Sequence, residues 1–431
     1  MYIDLMNKIN SKSAKIGVIG LGYVGLPLAV ELAKKGFTVT GLEVDAKKVE
    51  NINNKKSYIG DIATADIKEL VEAKKLSATT NFKAISKLDV IIICVPTPLR
   101  KSKDPDVSYI VSATNEIKDN LRKGQLIILE STTYPGTTKE LVLPMLEETG
   151  LKGGEDFYLA FSPERIDPAN KKFTIANTTK VVGGICDKSA KLACQVYGSF
   201  TNVHKVSSTE AAEMVKLLEN TFRAVNIGLV NEVALMCDRL GLNVWEVIDA
   251  SATKPFGFMK FTPGPGIGGH CIPLDPHYLS WKLKTLNFYS RFIELAGEIN
   301  SKMPEYVVTK LADALNEKSK SIKNSKILVL GVAYKKDVAD LRESPALDVM
   351  TLLLKKQAKL SYYDYYIPTV KVADKILKSE KNISNLSKYD AVVILTDHTN
   401  VDYVDIVKKA NLVFDTRNAT KSLKSSKIVR I

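Results

Sequence analysis

The chain has 431 residues, more than a single core supports, and a formal net charge of +13 from 61 Lys and Arg against 48 Asp and Glu, so two or three domains with a basic surface are expected. The positive charge is spread out and never forms a block of about 5 to 8 basic residues, and no run of about 18 apolar residues occurs; this excludes nucleic acid and membrane as partners and suits a cytoplasmic protein with a small polyanionic ligand. Five scattered cysteines (Cys94, Cys186, Cys194, Cys237, Cys271) give neither a disulfide framework nor a zinc array, and no metal is expected.

The N-terminal pattern is βαβ. Residues 15–20, KIGVIG, read as a buried strand, VGLPLAVELAKKG as a helix closed by Gly36, and FTVTGLE as a second strand. Between the first strand and the helix stands GLGYVG, which spaces Gly20, Gly22 and Gly25 as G-x-G-x-x-G, with Glu43 ending the second strand. Such glycines make the turn, admit a pyrophosphate to the backbone amides at a helix N-terminus and allow close packing, while the acid takes the ribose hydroxyls. A carboxylate there selects NAD over NADP.

Strands 88–98, 125–130 and 157–164 follow, with helices between them, giving a doubly wound parallel sheet. Ligands of such sheets lie beyond the strands' carboxyl ends, where Thr97, Thr132, Glu164 and Arg165 stand. Residues 207–241 then read as one long helix, opened by a capping box of Ser207 and Glu210 and closed by Gly241. At 1.5 Å per residue it runs on the order of 50 Å, a length suited to bridging domains or building a dimer interface. Lys216, Asn220 and Arg223 share one of its faces, which is either solvated or a binding face.

The loop PGPGIGGHCIPLDP, residues 263–276, is too rich in glycine and proline for a helix or a central strand. Its glycines permit positive φ and close approach to a ligand, and Cys271 has no core to fill there. After a helical stretch over 288–317 and a polar connector, the α/β pattern restarts with KILVLGVAYKKD, SPALDVMTLLLKK, KLSYYD, DAVVILTDH and LVFD. This second α/β domain lacks the glycine fingerprint, and Lys335, Lys336 and Arg342 suit a phosphate-bearing ligand.

GLGYVGLP, VPTP, ESTTYPGTT, FSPERIDP, AAEMVKLLENTFRAVNIGLVNE, GPGIGGHCIPLDP and YKKDVADLRESPA occur in the order and spacing of the UDP-glucose/GDP-mannose dehydrogenases. The resemblance covers essentially the whole chain. Residues 253–282 and the N-terminal stretch are most similar to members that oxidise UDP-N-acetylglucosamine for polysaccharide synthesis. The resemblance implies two Rossmann-like doubly wound domains joined by a long central helix and a helical dimerisation region: an NAD-binding domain over 1–205, a central dimerisation and catalytic region over 206–302 and a UDP-binding domain over 303–431. It also implies a homodimer or higher assembly. NAD contacts carry over to Tyr23, Val24, Glu43, Lys48, Thr97, Thr132 and Arg342, beside the glycines. Substrate contacts carry over to Arg165, Ile166, Lys216, Asn220, Arg223, Gly268, Tyr334 and Lys335, with Lys254, Phe256 and Lys260 at positions that reach a neighbouring subunit.

Oxidising a primary alcohol to an acid removes two hydrides, and a thiolate that captures the intermediate aldehyde permits the second removal by way of a thioester. On this resemblance Cys271 is the nucleophile and Lys216 supplies positive charge beside it. Asn220, Asp275 and Thr132 position the C6 hydroxyl or water, and Glu164 is the base that activates water. His270 adjoins Cys271, but adjacent loop side chains point apart and the resemblance gives it no role. The expected reaction is NAD-dependent oxidation of a UDP-N-acetylhexosamine at C6, with UDP-N-acetylglucosamine first and UDP-N-acetylmannosamine or UDP-glucose as alternatives. A one-step hydroxyacid dehydrogenase and a non-catalytic nucleotide-sugar binding protein are the rival classes.

Overall fold

The computed structural model describes residues 1–60, 62–99, 104–166, 172–269 and 271–431. Runs such as VIII and LIIL are buried along their whole length, as strands covered on both faces must be. They build a sheet of β1 (Lys15–Ile19), β2 (Thr38–Leu42), β3 (Leu76–Thr79), β4 (Val90–Ile93), β5 (Leu126–Leu129), β6 (Tyr158–Phe161), β7 (Lys180–Gly184) and β8 (Val203–Lys205). Their order is β3-β2-β1-β4-β5-β6-β7-β8. The first six are parallel, β7 runs antiparallel to β6, and β8 is parallel to β7. The order reverses between β1 and β4, which creates the crevice where such sheets bind ligands. Ile16, Val18 and Ile92 anchor the core on one face, and Ile19, Ile91 and Ile93 anchor the other.

This sheet belongs to a unit formed by Met1–Glu219 with His277–Phe288; Asn220–Pro276 and Tyr289–Ile431 form the second. The long helix spans Thr209–Leu240 and contributes to both. It starts one turn position later than its sequence suggests. Ser208 Oγ, not Ser207, accepts the Ala211 N–H at 3.1 Å, and Glu210 accepts from Thr209 Oγ1 at 2.9 Å instead of closing a box. Its end is as expected: Gly241 has φ +67° and Leu242 N–H donates back to Cys237 O at 2.8 Å.

In the second unit β9 (Lys326–Leu330), β10 (Lys359–Tyr363), β13 (Ala391–Ile394), β14 (Val413–Asp415) and β15 (Ile428–Arg430) form a parallel sheet in the order β10-β9-β13-β14-β15. A separate antiparallel pair is formed by β11 (Thr369–Val372) and β12 (Lys375–Lys378), with Val370 and Val372 in the core of this unit. Helices Arg291–Asn316 and Pro345–Lys355 cover the sheet through Val307, Leu311, Val349 and Leu353, which join Val230 and Ala234 of the long helix in one core. Among the described residues no helix is long and apolar enough to cross a membrane.

Candidate active site

At the end of β1, Gly20 has φ +88° and donates its N–H to Leu42 O at 2.9 Å. A Cβ on Gly25 would lie 1.9 Å from Gly20 O, whereas one on Gly22 would meet nothing within 4 Å. Gly25 is therefore demanded by the protein's own packing, and Gly22 borders open space at the start of helix Gly25–Lys34, a fit for the pyrophosphate of a dinucleotide. Glu43 is buried. It accepts the N–H groups of Leu21 and Val44 at 3.0 Å and Asp45 at 3.2 Å, and Lys48 Nζ at 3.1 Å. The carboxylate thus braces the glycine turn. Tyr58, which the sequence did not single out, donates its hydroxyl to Leu21 O at 2.6 Å.

Tyr23 is 60 % exposed and Val24 half-buried on the core. Thr97, beyond β4, is buried, and Tyr278 donates its hydroxyl to the Thr97 carbonyl at 2.7 Å. Thr132, beyond β5, is half-buried. Beyond β6, Glu164 is buried and accepts the Ile166 N–H on Oε1. Arg165 spends its guanidinium on Glu219, at 2.6 and 3.3 Å, and on Thr179 O at 2.6 Å. Thr97, Thr132, Glu164 and Arg165 thus all stand beyond the carboxyl ends of neighbouring strands. On the long helix, Lys216 is only 7 % exposed and has no hydrogen-bond or ion-pair partner among the described residues. A buried ammonium in that condition calls for an anionic or strongly polar ligand. The solvated-face alternative fails for Lys216 and for buried Asn220, and holds only for exposed Arg223.

The second unit carries the thiol. Cys271 is half-buried, and its carbonyl accepts from Leu274 N at 3.1 Å and Asp275 N at 2.8 Å, so the loop turns there into helix Asp275–Lys284. Asp275 is buried, and its Oδ2 accepts from Asn220 Nδ2 at 2.5 Å. Two residues 55 positions apart, both expected at the site, are thereby locked together. His270 lies outside the described residues.

The glycines of this loop also allow close packing within their own unit. A Cβ on Gly268 would lie 2.7 Å from Glu343 O and 2.8 Å from Tyr334 Cβ, and one on Gly264 would meet Arg417 Nη1 at 2.6 Å. The missing side chains let the loop dock on its own unit, with Gly269 N–H donating to Arg342 O at 2.9 Å. Tyr334 and Lys335 are half-buried in the segment following β9. His398, beyond β13, fixes that segment: its Nδ1 accepts the Asp337 N–H at 2.9 Å while Nε2 meets Asp364 Oδ2 at 3.0 Å. Arg342 is exposed and clasped by Asp340. Lys260 pairs with Asp249, and Lys254 lies 4.9 Å above the exposed Phe256 ring.

Sequence reasoning missed Arg417 and His398, which stand beyond β14 and β13, and Lys180 and Glu130 in the first unit. Position beyond a strand's carboxyl end was the available signal for the first two, Arg417 lying in DTRN and His398 in TDH.

Models of three consecutive domains match the chain: the NAD-binding domain of the UDP-glucose/GDP-mannose dehydrogenase family over residues 14–201, its central domain over 210–302 and its UDP-binding domain over 328–422. The chain belongs to this family. A UDP-N-acetyl-D-glucosamine 6-dehydrogenase of Pseudomonas aeruginosa is 34 % identical over 391 residues, covering 90 % of this chain and 91 % of that protein. The structure of a UDP-D-ManNAc dehydrogenase from Pyrococcus horikoshii superposes with a TM-score of 0.88 at 35 % identity, over 97 % of this chain and 99 % of that one. That of an NDP-N-acetyl-D-galactosaminuronic acid dehydrogenase from Methanosarcina mazei gives 0.83 at 31 % identity, over 99 % and 97 %. Members of this dehydrogenase family are NAD-dependent oxidoreductases of nucleotide sugars. The glycine turn after β1 lies in the NAD-binding domain, and Tyr334, Lys335 and Arg417 lie in the UDP-binding one.

Proposed function

We propose that this enzyme oxidises the C6 alcohol of a UDP-N-acetylhexosamine, UDP-N-acetylglucosamine foremost, to the carboxylate through a thioester on Cys271. The observation that carries this reading is the buried Asn220–Asp275 hydrogen bond beside the turn that begins at Cys271. It brings an amide and a carboxylate together at the start of the helix into which the Cys271 turn leads, the end that favours negative charge and hence a thiolate. Removing two hydrides from the alcohol and adding one water yields the carboxylate and three protons. Bound NAD supplies the hydride acceptor for each oxidation, held by Gly20, Gly22, Gly25, Tyr23, Val24, Glu43, Lys48, Thr97 and Thr132, with Arg342 a further contact.

Cys271 thiolate adds to the aldehyde carbon, forming a C–S bond while the carbonyl electron pair moves to oxygen. Lys216 supplies positive charge to stabilise that developing oxyanion. Asn220 and Asp275, with Thr132, orient the C6 oxygen. Once C6 is at the thioester level, Glu164 takes a proton from water, the hydroxide adds to the carbonyl, and the C–S bond breaks to return the thiolate. Arg165, Ile166, Arg223, Gly268, Tyr334 and Lys335 hold the UDP-sugar.

A second reading, UDP-N-acetylmannosamine as substrate, is favoured by the 0.88 TM-score to the Pyrococcus enzyme. Comparing kcat/KM for UDP-N-acetylglucosamine, UDP-N-acetylmannosamine and UDP-glucose with NAD decides it. The proposal expects an N-acetylated sugar to lead by at least about tenfold, a difference of roughly 1.4 kcal/mol in transition-state binding. A preference for UDP-glucose contradicts the substrate class.

A further inference from the structure

The first unit contains a buried charge cluster of which the mechanism above uses only one member. Lys180 opens β7 and is 3 % exposed; Glu130 follows β5 and is fully buried. Lys180 Nζ donates to Glu130 Oε1 and to Pro163 O at 3.3 Å. Tyr197 donates its hydroxyl to Glu130 Oε2 at 2.6 Å, and its ring lies 5.0 Å from the same ammonium. The third member is Glu164. Its Oε2 lies 3.7 Å from Lys180 Nζ and is a buried oxygen with no hydrogen-bond partner among the described residues.

Two carboxyl groups therefore face one ammonium, with the Cys94 thiol and the Tyr197 phenol as the other titratable groups of the cluster. Both of those are pushed up by burial and stay protonated. Buried charge is tolerated when it is compensated, and one cation cannot compensate two anions. Whichever carboxylate Lys180 serves better keeps its charge more easily, and the other takes up a proton more readily. Burial raises Glu130 to about 7; the Lys180 charge opposes that and the charge on Glu164 adds to it. A base for water must be ionised when the water arrives and must have an oxygen that is not already accepting a hydrogen bond, and Glu164 Oε2 accepts none among the described residues.

Resting on the assignment of Glu164 as the base, we infer that Lys180 and Glu130 are positioning residues that set its ionisation, Lys180 holding Glu164 as the carboxylate and Glu130 competing for the same ammonium. The two residues then act in opposite senses. Lys180→Met removes the compensating charge at similar length, so Glu164 must bind a proton at higher pH. Glu130→Gln removes the competitor with little change of shape and retains an oxygen for the Tyr197 hydroxyl, so Lys180 serves Glu164 alone.

The test follows breakdown of the acyl-enzyme on the whole protein, loaded with NAD and whichever UDP-N-acetylhexosamine it turns over. Rapid quench and intact-mass detection of the Cys271 adduct are run from about pH 6 to 9. The acid limb of hydrolysis should move up by about one pH unit in Lys180→Met, with at least about a tenfold loss at pH 7, and down by a measurable fraction of a unit in Glu130→Gln. Should Lys180→Met fail to fold, the downward shift in Glu130→Gln still decides the matter. Acid limbs that coincide with wild type, whether or not thermal stability falls, overturn the inference and leave a purely structural ion pair. Glu164→Gln separates the two levels: hydrolysis at the wild-type rate in that variant removes the base assignment itself, whereas its loss together with unmoved limbs in the other two removes only the role given to Lys180 and Glu130.

Discussion

Asp275 accepts the Asn220 amide in a buried setting, so a change at either residue disturbs the other. Replacing Asp275 with Asn keeps the shape, removes the charge and sets two amides against each other. We expect kcat to fall by about a hundredfold while NAD affinity, which belongs to the glycine turn, stays within about twofold; steady-state kinetics and NAD titration check both. Equal losses in kcat and NAD binding would mean that the pair only holds the fold. At this scale the sequence was legible wherever a residue type is rare in its setting: a cysteine in a glycine loop, or a lysine and an asparagine on one helix face. It was not legible for Lys180, which lies in TTKVVGG, a stretch too short to mark an element or a buried site. Its partners Glu130, Glu164 and Tyr197 are brought in only by the packing of β5, β6, β7 and helix Asp187–Tyr197, so no local pattern marks the cluster.

Glu213 ties the long helix to the turn that follows β5. Its fully buried carboxyl accepts Gly136 N–H at 2.6 Å, Thr138 N–H at 2.9 Å and Thr138 Oγ1 at 2.6 Å. Burial raises it to about 7 from an ordinary 4.5, with those three donors pulling the other way. Between about pH 4.5 and 7 the folded chain retains a proton that the unfolded chain has released. The contribution of Glu213 to stability is therefore complete at low pH and lost as pH rises through that window. Glu213→Gln, which cannot ionise, should gain stability relative to wild type between pH 5 and 7.5, read as a growing difference in Tm; a constant difference across that range rejects the assignment. Elements were readable where periodicity runs long. The helix over 207–241 was found with its start misplaced by the choice between adjacent Ser207 and Ser208. β3, β7, β8, β11, β12 and β15 were missed because three to five residues carry too little pattern, and the reversed direction of β7 is set by its neighbour β6.

Across the whole molecule, the sequence divides into three parts by chemistry, while the chain packs as two units because the central segment shares the core of the C-terminal sheet through Val230, Ala234 and Trp245. Phe222, Leu229, Met236 and Leu240 are exposed along one face of the long helix at intervals of seven, seven and four. An apolar stripe of that kind is the mark of a helix awaiting a partner, and a second copy of the chain is the occupant we propose. Light scattering at micromolar concentration should give a dimer or a larger even assembly, and Leu229→Glu with Met236→Glu should shift it toward monomer. A fully active wild-type monomer contradicts this.

The central claim is that one thiol carries the sugar between two oxidations. The most direct measurement is the number of NADH formed per UDP-N-acetylhexosamine consumed, by absorbance against chromatographic assay of the sugar, in wild type and Cys271→Ala. The account predicts two NADH and one uronic acid per sugar for wild type, and acid formation reduced by orders of magnitude in Cys271→Ala. One NADH per sugar, or a Cys271→Ala variant that forms acid within a few-fold of the wild-type rate, would contradict it.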